Sequence, residues 1–373
     1  MRLDRRAVLA GLTVVPLAGA ARAAGSARSE GGADAILDSV FATHGPPALA
    51  GGIVTRDGLI WSGVRGVRRQ GTDTPATLQD RWHLGSNTKA MTAATWARLV
   101  EAGRARWDQP LTEVFPEIAA DPAWAGVTLE TVMAHRSGLR DEDVITLPVL
   151  LAAGGDVRPL PEQRLDLVRT ALSKAPGWTQ GEYGYANINF VLAGAAIERL
   201  TGQAWETAIA ERLFEPLGIT AFGFGAPEGD QPWGHRPFGE TLIALDPATK
   251  PDNPAFMGPA GTCHMSLPDY ARFVQMYLTE GGGVLSPATM ARITTAPEGP
   301  GRPYGFGWLI QPSAPWAKGP VLAHEGSNTL WHATTIIDSA AGVGAIALSN
   351  AHAKGGPATQ QLAQRLIIER PGA

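Results

Sequence analysis

The sequence predicts an α/β fold of the α+β kind: an antiparallel sheet flanked by helices, with an all-helical lobe inserted into it. Three observations carry this. β-rich segments lie early in the chain, at Ala48–Thr55 and Leu59–Val67, and four more lie in the last third, at Tyr304–Gln311, Val321–His324, Trp331–Asp338 and Val343–Asn350. Between the two groups, from Trp107 to about Asn253, the pattern changes to proline-punctuated helical pieces. Strands at both ends with helices between them fit one sheet completed by the two ends of the chain and interrupted by a helical lobe.

Taken in order, Ala33 to Thr43 forms a short amphipathic helix ended by His44-Gly45-Pro46-Pro47. Arg56-Asp57-Gly58 is a turn signal that joins the first two strands into a hairpin. A small-residue helix opens at Ser86 and runs to about Ala102, with Gly103 as its stop. The middle pieces are Leu129 to Ala134, Glu162 to Ala171, Ile188 to Leu200 and Trp205 to Leu213; Ile188 to Ile197 is almost continuously apolar, which makes that helix central to its lobe. A helix at Leu267 to Thr279 precedes the late strands, and Pro357 to Glu369 reads as a final helix with proline in its first turn. The expected division is an α/β lobe of about 33–106 and 262–370 around a helical lobe of about 107–261.

With 373 residues, 44% of them hydrophobic, the chain has material for a large core. Arg5-Arg6, the apolar run Ala7 to Ala21 and the small-residue site Ala21-Arg22-Ala23 read as a secretory signal over residues 1–23 of twin-arginine type, with a retained N-terminal anchor as the alternative. A periplasmic or secreted location is expected, and the run is too short to leave a stable membrane span. Removing the segment takes away four arginines and one aspartate, so the formal charge moves from −4 to −7 and no basic footprint for nucleic acid remains. Cys263 is the only cysteine, so neither an internal disulfide nor a cysteine-rich zinc site can form, and an inert buried thiol is expected. Gly-x-Ser-x-Gly, His-Glu-x-x-His and Gly-x-x-x-x-Gly-Lys are all absent, and no metal or cofactor is expected.

The chemistry begins at Ser86-Asn87-Thr88-Lys89. Residues three apart share a helix face, so Lys89 reaches the Ser86 oxygen, and the free N–H groups of a first helical turn favour negative charge there. Ser-x-x-Lys alone also describes a capping serine before a surface lysine, but Ala90, Ala93, Ala94 and Ala97 mark a helix packed inside the protein, where a lysine is costly. Tyr185-Ala186-Asn187 opens the apolar helix; its phenol is a candidate proton shuttle and its amide a candidate ligand for substrate or lysine, against the plainer reading of a buried tyrosine with a capping asparagine. His324-Glu325-Gly326-Ser327 follows at a strand end, where a packed histidine is the plainer reading.

Taken together and in this order, Ser86-x-x-Lys89, Tyr185-x-Asn187 and His324-x-Gly326 resemble the serine β-lactamase and penicillin-binding-protein superfamily, in its branch of class C β-lactamases, D-alanyl-D-alanine carboxypeptidases and related esterases. The likeness extends from about Gly51 to Asn350. It takes in Val127-Thr128-Leu129-Glu130-Thr131-Val132-Met133-Ala134-His135-Arg136-Ser137-Gly138-Leu139, Pro176-Gly177, Phe214-Glu215-Pro216-Leu217-Gly218 and Pro259-Ala260-Gly261.

The resemblance implies a β-lactamase-like fold with Ser86 on the floor of a cleft between the lobes, acting on a small-molecule or peptide substrate. It implies Ser86 as acylated nucleophile, Lys89 as proton acceptor, Tyr185 as proton donor to the leaving group, Asn187 as the group orienting substrate and lysine, and the Ser86 and Ser327 amides as the oxyanion hole. His324 departs from the lysine of many relatives, and it is cationic only if its pKa is raised, for which adjacent Glu325 is the candidate. Ester, β-lactam and D-Ala-D-Ala substrates all remain open, as does a penicillin-binding sensor that is acylated without turnover. His135 and Arg136 are expected to pack or hydrogen-bond; Trp233, Trp331 and His264 are weighed as cleft-lining, and Asp246, Asp252 and Asn253 lie in a loop that borders it.

Overall fold

Alternating and β-branched segments at the two ends of the chain do meet in one sheet. The computed structural model describes residues 32–370, so the expected signal over residues 1–23 lies outside the described residues. The strands in chain order are β1 (Ala48–Thr55), β2 (Gly58–Gly66), β3 (Arg81–His83), β4 (Phe222–Phe224), β5 (His235–Phe238), β6 (Thr241–Ala244), β7 (Cys263–Ser266), β8 (Tyr304–Gly305), β9 (Trp308–Gln311), β10 (Val321–Ser327), β11 (His332–Asp338) and β12 (Val343–Ser349). Seven of them form an antiparallel sheet in the order β2-β1-β12-β11-β10-β9-β8. The early hairpin joins the late strands through β1 and β12, with Leu49 opposite Ser349 and Thr55 opposite Val343.

Helices cover both faces because nearly every residue of β1, β11 and β12 is buried. On the outer face, Ile36, Leu37 and Val40 of the helix Ala33–His44 pack with Leu362, Ala363, Leu366 and Ile367 of the helix Gly355–Glu369. On the inner face, the helices Leu267–Leu278 and Thr88–Glu101 share one continuous core with the helical region. Asn187–Thr201, buried from Ile188 to Glu198, is the central helix of that region.

Residues 107–261 are mainly helical but not wholly so, because β4, β5 and β6 fall within them. β4 joins β3 and β7 in a small sheet, and β5 and β6 form a hairpin. Strands of three or four residues hold too few alternations to stand out from the sequence. Among the described residues no helix is long and apolar enough to cross a membrane.

Candidate active site

Expected as the first residue of its helix, Ser86 instead lies in a 3₁₀ turn, Gly85–Asn87, that feeds the helix Thr88–Glu101. The turn is held by the Asn87 N–H and the Asn87 side-chain amide, both donating to the Leu84 carbonyl at 3.2 Å, and by Thr88 Oγ1 donating to the Gly85 carbonyl at 2.7 Å. One turn on, fully buried Lys89 donates from Nζ to Ser86 Oγ at 2.9 Å, Asn187 Oδ1 at 2.8 Å and the Ala260 carbonyl at 2.7 Å. Burial pulls the Lys89 ammonium down to about pKa 7, partly opposed by the charge of Asp141.

Asn187 begins the central helix, and Asp141 fixes which way its amide points. Asp141 Oδ2 accepts from Asn187 Nδ2 at 2.9 Å and Oδ1 accepts from the Ile188 N–H at 2.8 Å, so the Asn187 oxygen is left for Lys89. Tyr185, in the extended approach to the same helix, donates its hydroxyl to Ser86 Oγ at 2.8 Å and lays its ring 4.9 Å from Lys89 Nζ. Burial raises the phenol pKa well above its ordinary value, which keeps it protonated.

The third segment arrives on β10. An added Cβ on Gly326 would lie 1.9 Å from the Leu84 carbonyl and 2.8 Å from the Ser86 amide nitrogen, and one on Gly85, whose φ is +50°, would lie 2.3 Å from the Ser327 amide nitrogen. The strand and the Ser86 turn therefore touch backbone to backbone, bringing the Ser86 and Ser327 amides to one place. The Ser327 side chain turns away to the Trp331 carbonyl at 2.8 Å and His352 at 3.0 Å.

The condition under which His324 would be cationic, a pKa raised by the adjacent Glu325 carboxylate, is not met. His324 is buried and donates from Nδ1 to the Glu325 carbonyl at 2.7 Å, so its Nε2 accepts the Tyr304 hydroxyl at 3.1 Å. The Glu325 carboxylate meets Gln360 at 2.9 Å and His332 at 3.8 Å instead. Burial and the nearby Lys89 charge, against the Glu325 carbonyl, lower the His324 pKa to about 3, so the ring is neutral.

Ser86, Lys89, Tyr185 and Asn187 thus share direct hydrogen bonds, and the Gly326 and Ser327 backbone adjoins them. Asp141, Tyr304 and the Ala260 carbonyl were missed; the only signal for Asp141 is its place two residues past Leu139. His135 and Arg136 pack and bond as expected: the His135 ring lies tilted against those of Tyr185, at 4.4 Å, and Tyr304, at 4.7 Å, and Arg136 holds the Gly181 and Pro300 carbonyls. Trp331, weighed as cleft-lining, is fully buried against His83, and His264 is buried behind β4 with its Nδ1 on the Gly225 carbonyl. Trp233 carries Arg69 over its ring at 4.4 Å, and Cys263 is a free buried thiol. Among the described residues no group of three or more His, Cys, Asp or Glu is arranged to hold a metal ion.

The profile of the β-lactamase family matches residues 33–369. The chain is 27% identical over 278 residues to an unguisins hydrolase of Aspergillus campestris (strain IBT 28561), covering 69% of this chain and 48% of that protein. It is also 27% identical over 309 residues to penicillin-binding protein 4 of Amycolatopsis lactamdurans, covering 78% of this chain and 77% of the relative. The chain therefore spans about half the length of the first relative and about three quarters of the second. Among solved structures, the octameric penicillin-binding protein homologue from Pyrococcus abyssi superposes with a TM-score of 0.74 at 22% identity, covering 90% of this chain and 76% of that one, a likeness of fold. Because the profile runs over nearly all of the described residues, the chain belongs to the β-lactamase family.

Proposed function

We propose that the protein cleaves an ester or amide through an acyl-enzyme on Ser86, with a preference for substrates that carry no carboxylate beside the scissile bond. The observation that carries this is Lys89 Nζ, 2.9 Å from Ser86 Oγ and with its pKa lowered to about 7. A neutral amine takes the Ser86 proton as Oγ forms its bond to the carbonyl carbon, and the carbonyl π pair moves onto oxygen, facing the Ser86 and Ser327 amides. The bond to the leaving group then breaks, and that group takes the Tyr185 phenolic proton, which the Lys89 ammonium, 4.9 Å from the phenol ring, restores. Water repeats the sequence on the acyl-enzyme with Lys89 as base.

The preference follows from His324, a neutral ring whose outer nitrogen already accepts from Tyr304. Such a group supplies no fixed positive charge for an anionic substrate. The likeness to a penicillin-binding protein favours a second reading, a D-Ala-D-Ala carboxypeptidase or an acylated sensor. Parallel assays with a short-chain nitrophenyl ester, a chromogenic cephalosporin and a D-Ala-D-Ala peptide separate them. A higher kcat/KM for the ester, with a transient acyl adduct seen by intact mass, is expected. Faster turnover of the peptide or cephalosporin, or a permanent penicillin adduct, selects the second reading.

The base assignment fixes a pH dependence. Since the amine form is active, kcat/KM rises as pH passes upward through about 7, the Lys89 pKa. Asp141→Asn removes the charge that supports the ammonium, so the midpoint moves to lower pH. It also places an NH2 group against Asn187 Nδ2 or the Ile188 N–H, and a fall of about tenfold in the high-pH plateau follows from one lost charge-assisted bond. A pH–rate profile checks both; a midpoint that stays or moves upward contradicts the assignment.

A further inference from the structure

A hydrogen-bonded bridge outside the Ser-Lys-Tyr cluster ties the two amide-bearing elements together. His83 ends β3, two residues before Gly85, and is buried with its ring stacked 5.3 Å from Trp331. The Gly85 N–H donates to His83 Nδ1 at 3.1 Å, which makes Nδ1 the acceptor and leaves Nε2–H to donate to Asp252 Oδ2 at 2.9 Å. Asp252, whose side chain is 5% exposed, accepts on Oδ1 from Asn328 Nδ2 at 2.6 Å and from the Asn253 N–H at 2.7 Å. Asn328 follows Ser327 directly, and its Oδ1 accepts the Leu330 and Trp331 N–H groups, each at 3.2 Å.

We infer that Asp252 is a positioning residue that holds the Ser86 turn and the Ser327 strand end in register, through His83 on one side and Asn328 on the other. This rests on the reading of the Ser86 and Ser327 amides as the oxyanion site. The direction of every donor is fixed along the bridge, because both ends terminate on backbone N–H groups that only donate. A carboxylate, which only accepts, is the one group that satisfies both neighbours. An asparagine in its place must present an NH2 to one of them. Turned toward His83, it forces the other tautomer and sets Nδ1–H against the Gly85 N–H; turned toward Asn328, it flips that amide against the Leu330 and Trp331 N–H groups. Either way one half of the oxyanion site loses its brace. Its members are far apart in sequence, and nothing in the reaction consumes them.

The test is Asp252→Asn, read per active site after titration with a fluorophosphonate, together with the pair His83→Asn and His83→Gln. Asparagine oxygen falls near the place of His83 Nδ1 and keeps the Gly85 contact; glutamine nitrogen falls near Nε2 and keeps only the Asp252 contact. Asp252→Asn is expected to lower kcat about 100-fold with KM little changed, and to weaken binding of a boronic acid, which forms a tetrahedral adduct on serine, by a similar factor. Each variant breaks one of the two links that join Asp252 to the Ser86 turn, so His83→Asn and His83→Gln are each expected to lose about 100-fold in kcat per site. A merely structural role lowers the titrated fraction or the melting temperature and leaves kcat per site intact; that result, or an unchanged kcat per site in either His83 variant, overturns the inference. If the original enzyme forms no Ser86 adduct, the underlying reading has failed instead, and the two failures are told apart by that control.

Discussion

Ser86→Ala is expected to abolish turnover and covalent labelling together, lowering kcat by roughly 10⁴-fold or more. The change deletes one oxygen, and that oxygen is the atom on which both Lys89 Nζ and the Tyr185 hydroxyl converge. Lys89 keeps Asn187 Oδ1 and the Ala260 carbonyl, so its burial remains compensated. Tyr185 loses an acceptor at a cost of about 1–3 kcal/mol, which in a chain of this size moves the melting temperature by several degrees at most. Ester hydrolysis and thermal denaturation measured on the same preparation check the pair of outcomes. A well-folded variant that hydrolyses at the original rate removes Ser86 from the mechanism.

Gly326→Ala is the second large effect, and it acts through shape. The added methyl meets the Leu84 carbonyl oxygen at 1.9 Å, with the Ser86 amide nitrogen at 2.8 Å, and both are backbone atoms that no side-chain rotation moves aside. β10 must lift from the turn. Overpacking of this kind costs about 3 kcal/mol, and a shift of 1 Å between oxyanion donors and nucleophile is worth about 100-fold in rate. We therefore expect a loss of about 100-fold in kcat and a lower melting temperature. Full activity in this variant contradicts the close contact of strand and turn.

Local pattern carried much of the architecture. The hairpin of β1 and β2, the late strands and the almost continuously apolar stretch Ile188–Ile197 were legible because periodicity and turn chemistry act over a few neighbouring residues. Ser86 and Lys89 were legible together for the same reason, being one helical turn apart. Asp141 was not, since its partners Asn187 and Ile188 lie 46 and 47 residues away. The charge of His324, which the sequence leaves open, is decided by strand geometry: successive side chains on a strand point to opposite faces, which sends Glu325 toward Gln360 and leaves the histidine beside Tyr304. His83 and Asp252, 169 residues apart, meet only because β3 and the loop before β7 lie on the same side of the nucleophile turn.

The three oxygen neighbours of Lys89 bear on how the catalyst returns to its starting condition. An ammonium gives a hydrogen to each of them, while an amine gives hydrogens to Asn187 and Ala260 and receives one from the serine, with every heavy atom where it was. Between the two protonation states of Lys89, then, nothing in the socket has to swing or repack. Only a hydrogen nucleus crosses a gap of 2.9 Å, and the site is cocked again.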